Sequence, residues 1–136
     1  MNLYDLVMSP LETAFLGKIR SEVTAAAYGD VLEVGIGTGA NSRYYNYSAV
    51  GSLAGLDRED SPEPDRKHPE NMFTFARGDI EHIPFEAGRF DCVVATLVLC
   101  TKDLEKSLSE IKRVLKPGGL FIFIEHVRPT GSLAGA

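Results

Sequence analysis

At 136 residues the chain holds one domain with one core and not two. Apolar residues make up 44% and charged residues 24%, which fits a soluble globular protein and excludes disordered and fibrous classes; no apolar run approaches the ~18 residues of a membrane span. The formal net charge of -5, with its basic residues scattered, argues against a nucleic-acid partner.

In chain order, "MNLYDLVMSP" lacks the basic start and apolar block of a signal peptide, so a cytoplasmic location is expected. "SPLE" (Ser9 to Glu12) has the form of a capping box with proline at the first helical position. Leu11, Phe15, Ile19, Val23 and Ala26 follow at helical spacing, predicting an opening helix of about 16–19 residues with Gly29 as its stop. "DVLEVG" predicts a short buried strand, a glycine turn follows, and a helix is predicted near Ala40 to Tyr45. Ala49 to Asp57 is a second strand. "DSPEPDRKHPE" carries three prolines and reads as loop. "NMFTFARGD" alternates as a third strand. "RFDCVVATLVLC" is apolar almost throughout, as expected of a central parallel strand. Asp103 is placed to cap a helix bearing Leu104, Leu108, Ile111 and Leu115 on one face, "KPGG" to end it, and "LFIFIEHV" to form the fifth strand.

Strands alternating with helices predict an α/β, Rossmann-like domain: a mainly parallel sheet of about five strands with flanking helices and the first strand central. The expected organisation is a single domain over residues 1–136. It comprises an N-terminal helical segment (1–29), a core (30–127) and a tail (128–136). Cys92 and Cys100 read as reduced thiols, and no metal site is expected, because neither has a partner at ligand spacing.

"VLEVGIGTGAN" places three glycines within five positions behind an apolar strand. Gly35 permits the tight turn, Gly37 lets a ligand touch bare main chain, and Gly39 lets the following helix pack. Asp57 comes twenty positions after Gly37, at the end of the next strand, where a carboxylate can take both hydroxyls of a ribose. The glycines alone leave two ligands open: Gly35-x-Gly37-x-x-Ala40 satisfies a dinucleotide fingerprint, and Gly35-x-Gly37-x-Gly39 an S-adenosylmethionine (SAM) loop. Glu33, two positions upstream, suits a cationic ligand better than a pyrophosphate.

"VLEVGIGTG", "GLD", "GDIEHIPFEAGRFDCVVATLVL" and "RVLKPGGLFIFIEHV" together resemble the class I SAM-dependent methyltransferases, in that family's order and spacing, from about Tyr4 to Val127. "YDLVMSP", "GIGTGAN", "TLVLC" and "EHV" look nearest to its small-molecule branch of phospholipid, quinone and thiol methyltransferase-like proteins. The resemblance implies that Glu33, Gly35, Gly37 and Gly39 cradle the methionine end of SAM, that Asp57 binds the ribose, and that Arg58 lies beside the adenine. It implies that Asp79 accepts from the adenine amino group and that Ile80 stacks on the ring. Thr96 and Leu97 would face the sulfonium and a small-molecule acceptor, and Tyr4 would cover the cofactor. For an acceptor that must lose a proton, His126 is the candidate base; its other reading is a strand-end histidine bonded to a loop.

Against that family the chain lacks the last two strands, which would leave "LFIFIEHV" as an apolar edge. A homodimer covering it is expected. Three functions stand in order: SAM-dependent methyl transfer to a small molecule, a truncated cofactor-binding or assembly module without turnover, and an NAD(P)-dependent oxidoreductase.

Overall fold

The computed structural model describes residues 10–37, 39–59, 71–96 and 103–124. Helix α1 (Pro10–Thr24) precedes strand β1 (Gly29–Val34). Then come a single 3-10 turn (Ser42–Tyr44), β2 (Val50–Asp57), β3 (Phe73–Arg77), β4 (Phe90–Thr96), α2 (Leu104–Val114) and β5 (Leu115–Ile124). The strands form one sheet in the order β3-β2-β1-β4-β5, every neighbouring pair parallel. The expected α/β class, five strands and central first strand are all present.

Strand alternation sorts β1 and β4 onto two apolar faces. Leu32, Val34, Val93 and Ala95 pack with Phe90, Ile111 and Val114 on the face that carries α2. Val31, Cys92 and Val94 pack with Ala27, Tyr45, Val50 and Leu53 on the other. Burial on both faces is what a central parallel strand requires, and it explains why "CVVA" contains no polar residue.

Local structure departs from expectation in four places. The residues after the glycine turn form one 3-10 turn rather than a helix, because Ser42 Oγ, like its own N–H, bonds back to the Gly39 carbonyl; such side-chain bonds compete with a helical ladder. Gly29 opens β1 instead of ending α1. Its φ of 70° turns the chain into the sheet, and the Asp91 carboxylate fills the space a side chain would need. "KPGG" is not a stop between helix and strand. β5 starts at Leu115 opposite Phe90, and pairing resumes at Cys92 with Leu120, so residues 116–119 bulge outward around Gly118 at φ 79°. Finally, α2 buries Ser107, Ile111 and Val114, at spacings of four and three, and leaves Leu104 and Leu108 exposed. Its N-terminus is capped as expected, by the Asp103 carboxylate accepting from the Lys106 N–H at 3.3 Å.

Candidate functional site

In this strand order the chain reverses direction across the sheet at β1 and β4, and the carboxyl ends of the strands beside that point form a natural crevice. The glycine turn leaves β1 there. The N–H groups of Gly35 and Ile36 both donate to the Leu56 carbonyl, at 2.7 and 3.1 Å, anchoring the turn on the end of β2. Gly35, Gly37 and Gly39 have φ of 69°, 56° and 83°, the left-handed region that residues with a Cβ avoid. Beneath the turn, Gly55 has no side chain because a Cβ there would stand 2.6 Å from Ile36 Cδ1.

At Gly37 a Cβ would meet no atom of the described residues within 4 Å. The residue therefore faces open space, and its absent side chain keeps the main chain bare. Its N–H donates to Asp57 Oδ2 at 2.8 Å, while Asp57 Oδ1 accepts from the Glu59 N–H at 3.2 Å. Each carboxylate oxygen keeps a further lone pair for a diol. Past Asp57, Gly78 donates to its carbonyl at 2.8 Å and brings Asp79 alongside. Arg58 Nε lies 4.0 Å from Asp79 Oδ2, both partly exposed, and Asp79 Oδ1 accepts from the Glu81 N–H at 2.9 Å. The structure thus brings Gly35, Gly37, Asp57, Arg58 and Asp79 to one end of the sheet.

Ile80 and Thr96 are also among the described residues. Ile80 is 4% exposed and packs in the core with Leu56 and Ile83, so its side chain is not offered to a ring. Thr96 is the last residue of β4, in register with Ile124. Tyr4, Leu97 and His126 fall outside the described residues.

Glu33 is the largest change from expectation. It is 1% exposed, so it is not an open counter-charge beside the groove. It accepts from Tyr45 Oη at 2.8 Å and Asn41 Nδ2 at 3.1 Å. Burial pushes its carboxyl up from 4.5 to about 7, against the opposing effects of those two bonds and of Arg20. Burial, then the adjacent Glu33, likewise pushes the Tyr45 phenol well above its usual value. Asn41 and Tyr45 had no sequence signal beyond a polar residue and an aromatic one turn apart.

A second set of partners was equally silent. Arg113 of α2 donates to the carbonyls of Ile83 at 2.8 Å and Phe85 at 2.9 Å, and its neighbour Glu110 accepts from the Ile83 N–H at 2.8 Å. Glu81 accepts from the Asp103 N–H at 3.2 Å. These bonds fix the segment after Asp79 against α2.

A ligand that carries a ribose fits these residues: bare backbone at Gly37 allows close approach, and both Asp57 oxygens keep lone pairs for its diol.

Comparison with known proteins bears on the same residues. The methyltransferase domain family matches residues 32–123. The human thiol S-methyltransferase TMT1B is 37% identical over 120 aligned residues, covering 76% of this chain and 46% of that protein. The mitochondrial methyltransferase OMS1 of Saccharomyces cerevisiae is 31% identical, covering 93% of this chain and 32% of that protein. The chain therefore spans less than half the length of these relatives. Among solved structures, an S-adenosylmethionine-dependent methyltransferase from Mesorhizobium loti superposes with a TM-score of 0.63 at 22% identity, covering 78% of this chain and 52% of that one; this shows the shared fold. Since the family match extends from the middle of β1 into β5, over the glycine turn, Asp57 and Asp79, the chain belongs to the methyltransferase domain family.

Proposed function

We propose that the chain binds SAM over Gly37 and serves methyl transfer to a small-molecule acceptor, with a thiol as the first candidate. The observation that carries this is the open, Cβ-free face of Gly37 held against the Asp57 carboxylate, in a chain of the methyltransferase domain family. The thiol is the acceptor class in the name of the human relative, a thiol S-methyltransferase. The match favours this over the nicotinamide reading that the glycine spacing left open.

In this proposal Asp57 grips the ribose, the Gly35, Gly37 and Gly39 backbone accommodates the methionine end with Glu33 behind it, and Arg58 and Asp79 flank the adenine. When bound, SAM supplies a methyl group already activated on a sulfonium. Positioning and exclusion of water then provide most of the acceleration. Thr96 and Leu97 are assigned to the acceptor side and Tyr4 to covering the groove. A thiol, with an ordinary pKa of about 8.5, must lose its proton to attack. His126 is assigned as the base that takes it.

Residues 1–136 are read as a single domain and placed in the cytoplasm; no helix among the described residues is long and apolar enough to cross a membrane. We propose also that a second copy covers β5, the sheet edge, where Leu120 and Phe123 are exposed. Light scattering should give a dimer, and Phe123→Lys a monomer; a wild-type monomer would refute it.

The functional test is calorimetry with S-adenosylhomocysteine (SAH), followed by transfer of labelled methyl to a panel of thiols, phenols and amines. Binding with transfer to thiols is expected. Binding without transfer to any acceptor would favour a cofactor-holding module. No binding at millimolar SAH by folded protein would end both.

A further inference from the structure

We propose that Asn41 and Tyr45 are positioning residues that clasp Glu33 across the base of the glycine turn and, through Arg20, tie the cofactor loop to α1. The proposal rests on the SAM-binding reading for its functional meaning but has a readout of its own.

The geometry is a closed ring. The chain leaves the sheet after Val34 and returns at the 3-10 turn, and Glu33 is bonded across that gap to residues eight and twelve positions later. Between them lie three glycines in left-handed conformations, a segment whose freedom is large unless its ends are fixed. The two donors engage the two separate oxygens of the carboxylate, Tyr45 Oη at Oε1 and Asn41 Nδ2 at Oε2, so its rotation is fixed as well as its position. Asn41 cannot turn its amide over without loss, because its Oδ1 accepts from Arg20 Nη1 at 2.8 Å. Arg20 belongs to α1, and Thr24 of the same helix donates to the Tyr44 carbonyl at 3.1 Å. The order Arg20, Asn41, Glu33, Tyr45 is therefore one continuous polar path from the outer helix to the foot of the loop, inside an apolar face.

An ionised carboxylate in such a place accepts both bonds at once. Protonated, it keeps Tyr45 only if the phenol turns its own proton away and accepts, because the Asn41 amide, oriented by Arg20, can only donate to it. The groups that face this system are Arg20 from α1, Tyr45 and Tyr47 from the turn region, and Cys92 of β4 beside Tyr45. Of the groups around it, Tyr45, Asn41 and then Arg20 favour the ionised carboxylate; the Tyr47 hydroxyl donates instead to the Ser42 carbonyl at 2.6 Å, and Cys92 stays a neutral thiol, its pKa pushed up to about 11 by burial. The state of Glu33 is thus transmitted to the glycine backbone by Asn41 and Tyr45, not by a ligand.

The test follows the backbone amides of Gly37 and Gly39 by nuclear magnetic resonance, with Glu33 carboxyl carbon-labelled, between pH 5 and pH 9. In the wild type both amides should titrate with the Glu33 carboxyl. In Tyr45→Phe the shared midpoint should rise by about one pH unit, and SAH affinity at pH 8 should weaken roughly tenfold. Arg20→Lys should retain wild-type behaviour that Arg20→Met loses. Glycine amides indifferent to Glu33 would overturn the clasp, even if Tyr45→Phe failed to fold. So would a Tyr45→Phe midpoint and affinity equal to wild type. A wild type whose amides titrate but which binds no SAH would leave the clasp standing and remove the SAM reading.

Discussion

The Gly37 N–H and the Asp57 carboxylate meet at 2.8 Å, joining the glycine turn to the end of the neighbouring strand twenty residues away. One acid therefore fixes the turn and, in the proposed function, also takes the ribose diol. Asp57→Ala removes an acceptor from the Gly37 N–H and both contacts to a ribose. Hydrogen bonds to a charged group contribute about 1.5–3 kcal/mol each, so SAH affinity should fall by roughly a hundredfold or more while the protein stays folded. Asp57→Asn, which keeps one acceptor oxygen, should fall between. Calorimetry that finds Asp57→Ala binding as wild type would remove the ribose assignment.

The two glycines above and below the turn should fail differently. Gly37→Ala places a methyl in open space but at φ 56°, a backbone strain of about 1–2 kcal/mol. Melting should shift by only a few degrees, whereas ligand affinity should collapse, because the methyl stands where the ligand approaches. Gly55→Ala instead forces Ile36 Cδ1 away from 2.6 Å and presses on Phe73. Overpacking of this kind costs about 1–3 kcal/mol, so stability should suffer first. Measuring melting temperature and SAH affinity on both variants separates the two; equal profiles would count against the open groove.

How far the sequence disclosed this site depended on whether a signal was carried by one residue or by a pairing. Gly37 and Asp57 were legible because backbone freedom and a strand-end acid are properties of single residues at recognisable places. Asn41, Tyr45 and Arg20 were not, since their partnership exists only once the segment after the turn becomes a 3-10 turn and α1 packs beside it. Glu33 was noticed for its charge, yet its burial reverses the expected role: it acts on the loop from behind. The five strands were read correctly from apolar runs, but "KPGG" misled, because proline and glycine mark a break in pattern without saying whether it separates two elements or bulges within one. Leu104 and Leu108 misled in the same way: helical spacing identifies a face, and only the sheet decides that Ser107, Ile111 and Val114 are the buried one.

Arg113 should matter more than its place on a helix surface suggests. Its guanidinium holds the Ile83 and Phe85 carbonyls, and its bond to Glu110 keeps that carboxyl below its ordinary 4.5. A carboxyl depressed on folding stabilises fully above its unfolded value and loses that contribution as pH falls through the folded one. Arg113→Met should therefore destabilise by about 1–3 kcal/mol at pH 7 and blunt the loss of stability below about pH 4.5. Asp91, lowered by the Asp30 N–H and then by Lys116, would keep part of that acid limb. Denaturant midpoints from pH 3 to pH 7 measure it; parallel curves for the two proteins would refute the role.

Glu33 has the opposite sign. Its folded value of about 7 exceeds the ordinary 4.5, so the folded chain binds a proton that the unfolded chain has released. Stability should then decline as pH rises from about 4.5 through about 7, by at most about 3 kcal/mol. Glu33→Gln has no such titration, so its stability should be flat across that window. The amide also turns one acceptor into a donor facing Asn41 or Tyr45, which costs about 1 kcal/mol. Above pH 7 the variant should therefore match or exceed the wild type in stability by about 1–2 kcal/mol while binding SAH more weakly. A gain in stability with a loss of binding is the mark of a buried charge kept for function. If Glu33→Gln instead lowered stability at pH 8 and left SAH affinity untouched, the acid would be a structural residue and the loop would have to be held by something else.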